Sequence, residues 1–281
     1  MLIIYAIVTE QSIGQMFVAG IIPGILLSVA YAVLILLMAY IVPNWVGGME
    51  SKDIANEDWA KMTMMDLVRK MFPIVLLITM VLGGIYGGIV TPVEAGAMGS
   101  LSALIIAVAK RRMSWADLWE VLVETGHITA AILFLIIAAT MYNRMLGVAA
   151  LPTQFGEWLS GMQFSLGEIM TVYVILLLLL GTILDTASII LIVVPLFLTA
   201  LDAYGVDLVW FGIVTVVGAE IGLLTPPLGI SCFVIKSTIN DPSITLFDIF
   251  SGAFPFAVTM LLTLIVLINY PVLSTYLLQF G

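Results

Sequence analysis

Apolar runs recur along this chain from its first residues to its last, and nothing else constrains its fold as much. A hydrocarbon core of ~30 Å takes about 20 helical residues to cross. Runs of that order lie at 17–42, 72–90, 127–147, 206–223 and 250–275. Only 10% of the 281 residues are charged and 62% are hydrophobic, with mean hydropathy +1.22. Soluble domains carry roughly a quarter charged residues. A signal peptide is a single short apolar segment, whereas apolar segments here continue to the C-terminus. The chain reads as an all-α polytopic membrane protein. The single Cys232 excludes an intrachain disulfide or a cysteine-clustered metal site. A net charge of −9 argues against nucleic acid, which wants a basic stripe.

Shorter apolar runs lie at 2–8, 94–109, 168–183, 187–201 and 229–239. Paired or broken half-spans suggest re-entrant hairpins and discontinuous helices rather than simple crossings. The sharpest break is in "EIGLLTPPLGISCFV", residues 220–234, where Pro226 and Pro227 follow Thr225. Proline removes a main-chain donor and clashes with the preceding turn, and lipid cannot satisfy what is freed. A helix running to about Leu224 must stop there, and Gly229 lets the chain turn into a second short helix. Main-chain carbonyls near 221–224 and amides near 229–231 are then expected at membrane depth.

Between the runs, residues 50–70 mix charges with Trp59, Met62, Met65 and Leu67, and read as an amphipathic surface helix. Residues 113–124 read as a second, shorter one. Lys52, Lys61, Arg69 and Lys70 fall on the same side as Lys110, Arg111 and Arg112, which the positive-inside rule places in the cytoplasm. Counting onward, 127–147 runs outward and 168–201 enters and leaves from outside as a hairpin. The segment 206–239 runs inward and 250–275 outward. Arg144 falls outside, the exception to the rule.

Ser12, Ile13, Phe17, Gly20 and Pro23 have counterparts in Ser243, Ile244, Phe247 or Phe250, Gly252 and Pro255, each set opening a long apolar span. The charge count orients these two spans oppositely, as an inverted repeat requires. The second copy is preceded by a long stretch reaching back to the surface helix, the first by eight or nine residues. We therefore expect the chain to be the C-terminal part of a longer protein, with Met1 just after the first copy's own helix break.

Three carboxylates fall within apolar stretches: Glu94, Asp185 and Glu220. An Asp near the bilayer centre costs roughly 2.5–3.5 kcal/mol on insertion scales. Each is a functional candidate, or else a helix cap. In "LLLLLGTILDTASIILIVVPL", Gly181, Thr182, Asp185, Thr186 and Ser188 stand between two half-spans. A hairpin tip there offers carbonyls from the incoming helix and amides from the outgoing one. The amides suit a carboxylate substrate, while carbonyls, hydroxyls and Asp185 suit a hard cation such as Na⁺; a mere capping turn is the plain alternative. The break at Thr225, Pro226, Pro227 and Gly229 is the same device. Gly83, Gly84, Gly87 and Gly88 have small-xxx-small spacing and read as helix packing. His127 reads as interfacial.

"GGIYGGIVTPVEAGAMGS", "LDTASIILIVVPLF" and "FGIVTVVGAEIGLLTPPLGISCFVIK", in this order, resemble the large membrane subunit of TRAP (tripartite ATP-independent periplasmic) transporters, as does "QMFVAGIIPGILL". The resemblance implies a sodium-driven importer of organic acids of elevator type in a bacterial or archaeal cytoplasmic membrane. A periplasmic solute-binding protein would deliver substrate, and a small membrane subunit would brace the scaffold; no cofactor is implied beyond Na⁺ as coupling ion. Gly181, Asp185, Thr186 and Ser188 match the family's second hairpin tip, and Thr225, Pro226, Pro227 and Gly229 its second helix break. Together with Glu220 these are the candidate ion and substrate residues, with Asp185, Thr186 and Thr225 the candidate Na⁺ ligands. The chain then divides into a tail of the first repeat (1–48) and an arm helix (49–71). Scaffold and connecting helices (72–164), a transport hairpin with broken helix (165–240) and a final span (241–281) follow.

Other classes fit less well. "LDT" at 184–186 resembles aspartic proteases, but Ala187 replaces the needed glycine and no partner Asp lies inside an apolar run; the chain does not read as an enzyme. A channel wants a ring of like groups from several subunits. The closer rival is another sodium-coupled anion transporter of similar hairpin plan that needs no binding protein.

Overall fold

The computed structural model describes residues 1–46, 63–111, 113–202, 204–239, 241 and 243–280. Among these the chain is all helical, without strands. In order the helices are α1 (Leu2–Thr9), α2 (Ile13–Ala19), α3 (Ile21–Ile41), α4 (Met64–Tyr86), α5 (Pro92–Ala109) and α6 (Trp115–Val148). They continue with α7 (Leu151–Gly161), α8 (Leu166–Gly181), α9 (Thr186–Asp202), α10 (Leu208–Leu223), α11 (Ile230–Thr238), α12 (Leu246–Asn269) and α13 (Val272–Thr275). Five helical stretches among the described residues are long and apolar enough to cross a membrane: 13–41, 64–86, 92–109, 115–148 and 246–269. Helices α8, α9 and α10 are apolar but shorter.

Local chemistry sets these ends. Ser12, Thr91, Ser165, Asp207 and Thr245 cap α2, α5, α8, α10 and α12 through their side chains, satisfying amides that no preceding turn can reach. Glu94, Glu168 and Asp248 return the bond to the cap residue's own amide, completing capping boxes. Glu94, a functional candidate on sequence, is therefore a cap: its Oε2 accepts from Thr91 N at 2.8 Å and Thr91 Oγ1 at 2.9 Å.

Contacts gather the described residues into two units, Met1–Tyr40 with Leu135–Gly281, and Ile41–Phe134. In the first, α10 is central. Trp210, Phe211, Ile213, Val214, Ala219 and Ile221 are buried on all its faces, the pattern of a helix surrounded by others. Helices α1, α2, α8, α9 and α12 pack against it. Ring contacts run from Tyr5 through Phe211 and Tyr173 to Phe197 and Phe155. Polar ends inside this core are paired: Tyr5 Oη donates to Leu208 O at 2.6 Å, Trp210 Nε1 to Leu267 O at 2.8 Å, and Tyr173 Oη is hydrogen-bonded at 2.8 Å to Thr215 Oγ1, which is also placed to donate to Phe211 O at 2.7 Å. In the second unit, α4 and α5 form a hairpin, with Ser102 Oγ donating to Met80 Sδ at 3.1 Å.

Several expectations change. The surface helix expected at 113–124 is continuous with the span 127–147 in α6, whose 34 residues make about 50 Å at 1.5 Å per residue. Residues 49–62 of the expected arm helix, Trp59 and Met62 included, lie outside the described residues; 64–71 form the first two turns of α4. The span expected to reach 275 stops at Tyr270, where Pro271 cannot continue the helix, and α13 folds back toward α2 and α10. The glycine pattern 83–88 makes a turn more than an interface: Gly87 caps α4 and Gly88 has φ +64°, while Gly84 alone of the four makes a close side-chain approach, to Val90. The two related spans also differ, since α2 and α3 part at Gly20 whereas α12 runs unbroken through Gly252.

Candidate functional site

The two interruptions lie against each other. Helix α8 ends at Gly181 and α9 begins at Thr186, while α10 ends at Leu223 and α11 begins at Ile230. Helices α8 and α10 cross with main chain in contact: a Cβ placed on Gly181 would lie 2.7 Å from Gly222 Cα, and one on Gly222 2.5 Å from Gly181 Cα. Only glycine at both positions permits this approach. The crossing brings the amide of Gly229 within 3.1 Å of Thr182 O. It also sets Thr186 Oγ1 to donate to Glu220 Oε1 at 3.1 Å.

The double proline ends α10 as expected. Ile221 O accepts from Leu224 N at 3.1 Å and from Thr225 Oγ1 at 2.8 Å, and Gly222 O from Thr225 N at 3.0 Å. The carbonyls expected to be free at 221–222 are thus taken by a tightening last turn. The Pro226–Pro227 bond is cis, both prolines are exposed, and Gly229 has φ +49°. That left-handed conformation and the nearby Phe250 ring, 2.6 Å from a notional Cβ, both demand glycine. Gly229 is the N-cap of α11 and offers no side-chain acceptor, so the first-turn amides of α11 lack the side-chain cap that serves α10 and α12.

The hairpin tip is built differently. Asp185 Oδ2 accepts from Ala187 N at 3.0 Å and Ser188 N at 3.2 Å, and Oδ1 accepts from Ser188 Oγ. The α9 amides that could receive a substrate carboxylate are therefore occupied by Asp185, which is exposed. Leu178, Leu179 and Leu180 carbonyls are closed by Thr182, Ile183 and Leu184. The outer lone pairs of Asp185, half-buried Glu220 and the hydroxyls of Thr186 and Ser188 remain as oxygen ligands. No group of three or more His, Cys, Asp or Glu able to hold a metal gathers among the described residues, so a cation at the tip must draw on hydroxyls and carbonyls.

The structure thus brings together Gly181, Thr186, Glu220 and Gly229. Ser188 and Asp185 pair beside them, and Thr225 faces back along α10. Sequence reasoning placed Thr182 at the tip but left it out of the candidate ligands, and its carbonyl ties the two breaks; it missed Gly222. The signal for Gly222 was present: Gly218 and Gly222 are four apart, a spacing that lets helices approach closely.

A family model described as "Tripartite ATP-independent periplasmic transporter, DctM component" matches residues 1–273. The chain belongs to this family. Among curated relatives of this DctM-component chain, a C4-dicarboxylate TRAP transporter large permease protein of Pseudomonas aeruginosa is 31% identical over 97% of this chain and 61% of its own length. A sialic acid TRAP transporter large permease protein of Vibrio cholerae is 28% identical over 96% of this chain and 61% of its own. A 2,3-diketo-L-gulonate TRAP transporter large permease protein of Escherichia coli is 27% identical over the same shares, 96% and 61%. The DctM-component chain therefore spans about three-fifths of the length of these relatives, and the family resemblance carried by its four motifs holds.

Proposed function

We propose that this chain forms part of a large permease that imports small organic acids by sodium-coupled symport across the inner membrane of a bacterium or archaeon. A periplasmic binding protein delivers the substrate, and a small membrane subunit completes the complex. The relatives are named for C4-dicarboxylates, sialic acid and 2,3-diketo-L-gulonate, whose shared chemistry is a carboxylate. The observation that carries the reading is the junction of the two breaks, tied by Gly229 N to Thr182 O and Thr186 Oγ1 to Glu220 Oε1. It divides the labour between two ligand chemistries. The uncapped amino end of α11 supports an anion role. Asp185, Thr186, Ser188 and Glu220 support the cation role, because they present oxygens around the other break.

Uptake into proteoliposomes tests this, using the full gene product with its small membrane subunit. Carboxylate substrates are offered with and without an inward sodium gradient and with and without the binding protein. Uptake that needs both is expected. Sodium-independent uptake would reject the cation role of the tip, and uptake without a binding protein would favour the rival, a stand-alone sodium-coupled anion transporter.

A further inference from the structure

Residues of α1, α6 and α9, with Glu10 at the end of α1, line a half-open cavity of ≈ 340 Å³ that includes none of the residues of the two breaks. Its lining is mainly apolar, with Ile7, Ile136 and Leu191, and carries the polar side chains of Glu10, Asn143 and Arg144. Arg144 and Glu10 both line it, are exposed, and are in no ion pair among the described residues. Asn143 Oδ1, one residue along α6, is buried and accepts no hydrogen bond. Buried polar atoms in native proteins are overwhelmingly paired, so Asn143 Oδ1 calls for a donor, and an ionisable residue such as Arg144 among apolar helices is a functional candidate by default. Arg144 is also the cation that departs from the positive-inside distribution, which places it toward the external side. A second cavity of ≈ 340 Å³ shares Ala139 and Leu191 with the first and reaches Ser188 at the hairpin tip.

We propose that this cavity is a receptor for a small hydroxylated monocarboxylate, standing outward of the hairpin tip. Arg144 takes the carboxylate as a charge-assisted pair, and Glu10 and Asn143 Oδ1 accept from hydroxyl groups at the other end of the ligand. The volume lies at the small end of ligand cavities, roughly 300–1,000 Å³. A dicarboxylate fits less well, because its second carboxylate would face Glu10. A lipid phosphate fits less well for the same reason, being surrounded by acceptors beside a single cation. The site's place in uptake rests on the organic-acid reading above; the binding itself does not.

The test is equilibrium binding of labelled D-gluconate to the full gene product in nanodiscs of zwitterionic lipid, with succinate as competitor and with a parallel set of nanodiscs containing phosphatidylglycerol. Wild type is expected to bind gluconate in preference to succinate. Arg144→Gln should weaken gluconate about tenfold or more, as expected for a lost hydrogen bond to a charged group, with Arg144→Lys restoring part of it and reporting on folding. Glu10→Gln should narrow the preference over succinate. The proposal is overturned by absent gluconate binding in wild type, by unaltered binding in folded Arg144→Gln, by a wild-type preference for succinate, or by Arg144-dependent capture of anionic lipid alone. Arg144-dependent gluconate binding without sodium-driven uptake would sink the proposed function and leave this site standing. Sodium-driven uptake with gluconate binding indifferent to Arg144 would sink this site alone.

Discussion

Alanine at Gly222 tests the junction most directly. Its Cβ would lie 2.5 Å from Gly181 Cα, 2.9 Å from Gly181 C and 3.1 Å from Leu178 O. All three are main-chain atoms, so no rotamer change relieves the contact. Carbon atoms reach their best separation at about 3.5–4.0 Å, so α8 and α10 must part by roughly 1 Å. The bond from Gly229 N to Thr182 O, now 3.1 Å, would then open to about 4 Å, beyond hydrogen-bonding range. Overpacking costs about 1–3 kcal/mol, and the lost hydrogen bond about 0.5–1.5 kcal/mol net. A total of about 2–4 kcal/mol is expected, offset slightly by the better helix propensity of alanine. Gly96→Ala and Gly252→Ala are the controls, since a Cβ at either meets nothing within 4 Å. Unfolding in denaturing detergent should show Gly222→Ala well below wild type and both controls at or above it. The double variant with Gly181→Ala should cost less than the sum of the two, because the first substitution already opens the crossing. If Gly222→Ala is as stable as the controls, main-chain contact does not hold the breaks together and the argument for a built site fails.

Three further outcomes follow from the same geometry. Asp185→Ser keeps a capping oxygen while removing the charge; it should leave stability within about 0.5 kcal/mol of wild type but raise the sodium concentration needed for half-maximal uptake, and an unchanged sodium dependence would reduce Asp185 to a cap. Thr186→Val leaves the half-buried Glu220 oxygen without its donor and should destabilise by about 1–3 kcal/mol in detergent unfolding, with Thr186→Ser restoring most of it. Tyr173→Phe should destabilise by only about 0.5–1.5 kcal/mol, because Thr215 Oγ1 still donates to Phe211 O at 2.7 Å, and a double-mutant cycle with Thr215→Val in the same unfolding assay should return a coupling of about that size.

Much of the fold was legible because long apolar runs and cap residues act locally. The runs at 17–42, 94–109, 168–183, 187–201 and 229–239 each fall within a residue or a few of the observed helices. Where the reading missed, a non-local contact or an intermediate hydropathy decided. The seam between residues 124 and 127 reads as a change of environment, yet α6 passes through it, because nothing there breaks a helix. Glu94 and Asp185 looked alike on sequence as carboxylates in apolar surroundings. Both proved to be bonded to nearby amides, Glu94 within a capping box and Asp185 at the tip where Ser188 joins it. Glu220 differs, since its partner Thr186 lies 34 residues away.

Composition, apolar run length and two adjacent prolines were enough to determine a helical membrane protein with its backbone broken at 182–185 and 224–229, because hydrogen-bond supply in lipid is settled within a few residues of each break. Which break meets which was decided only by tertiary structure. Gly181 and Gly222 are 41 positions apart, and nothing local to either makes them touch. Their contact, and with it the bond between Gly229 and Thr182, exists because α8 and α10 pack with no side chain between them.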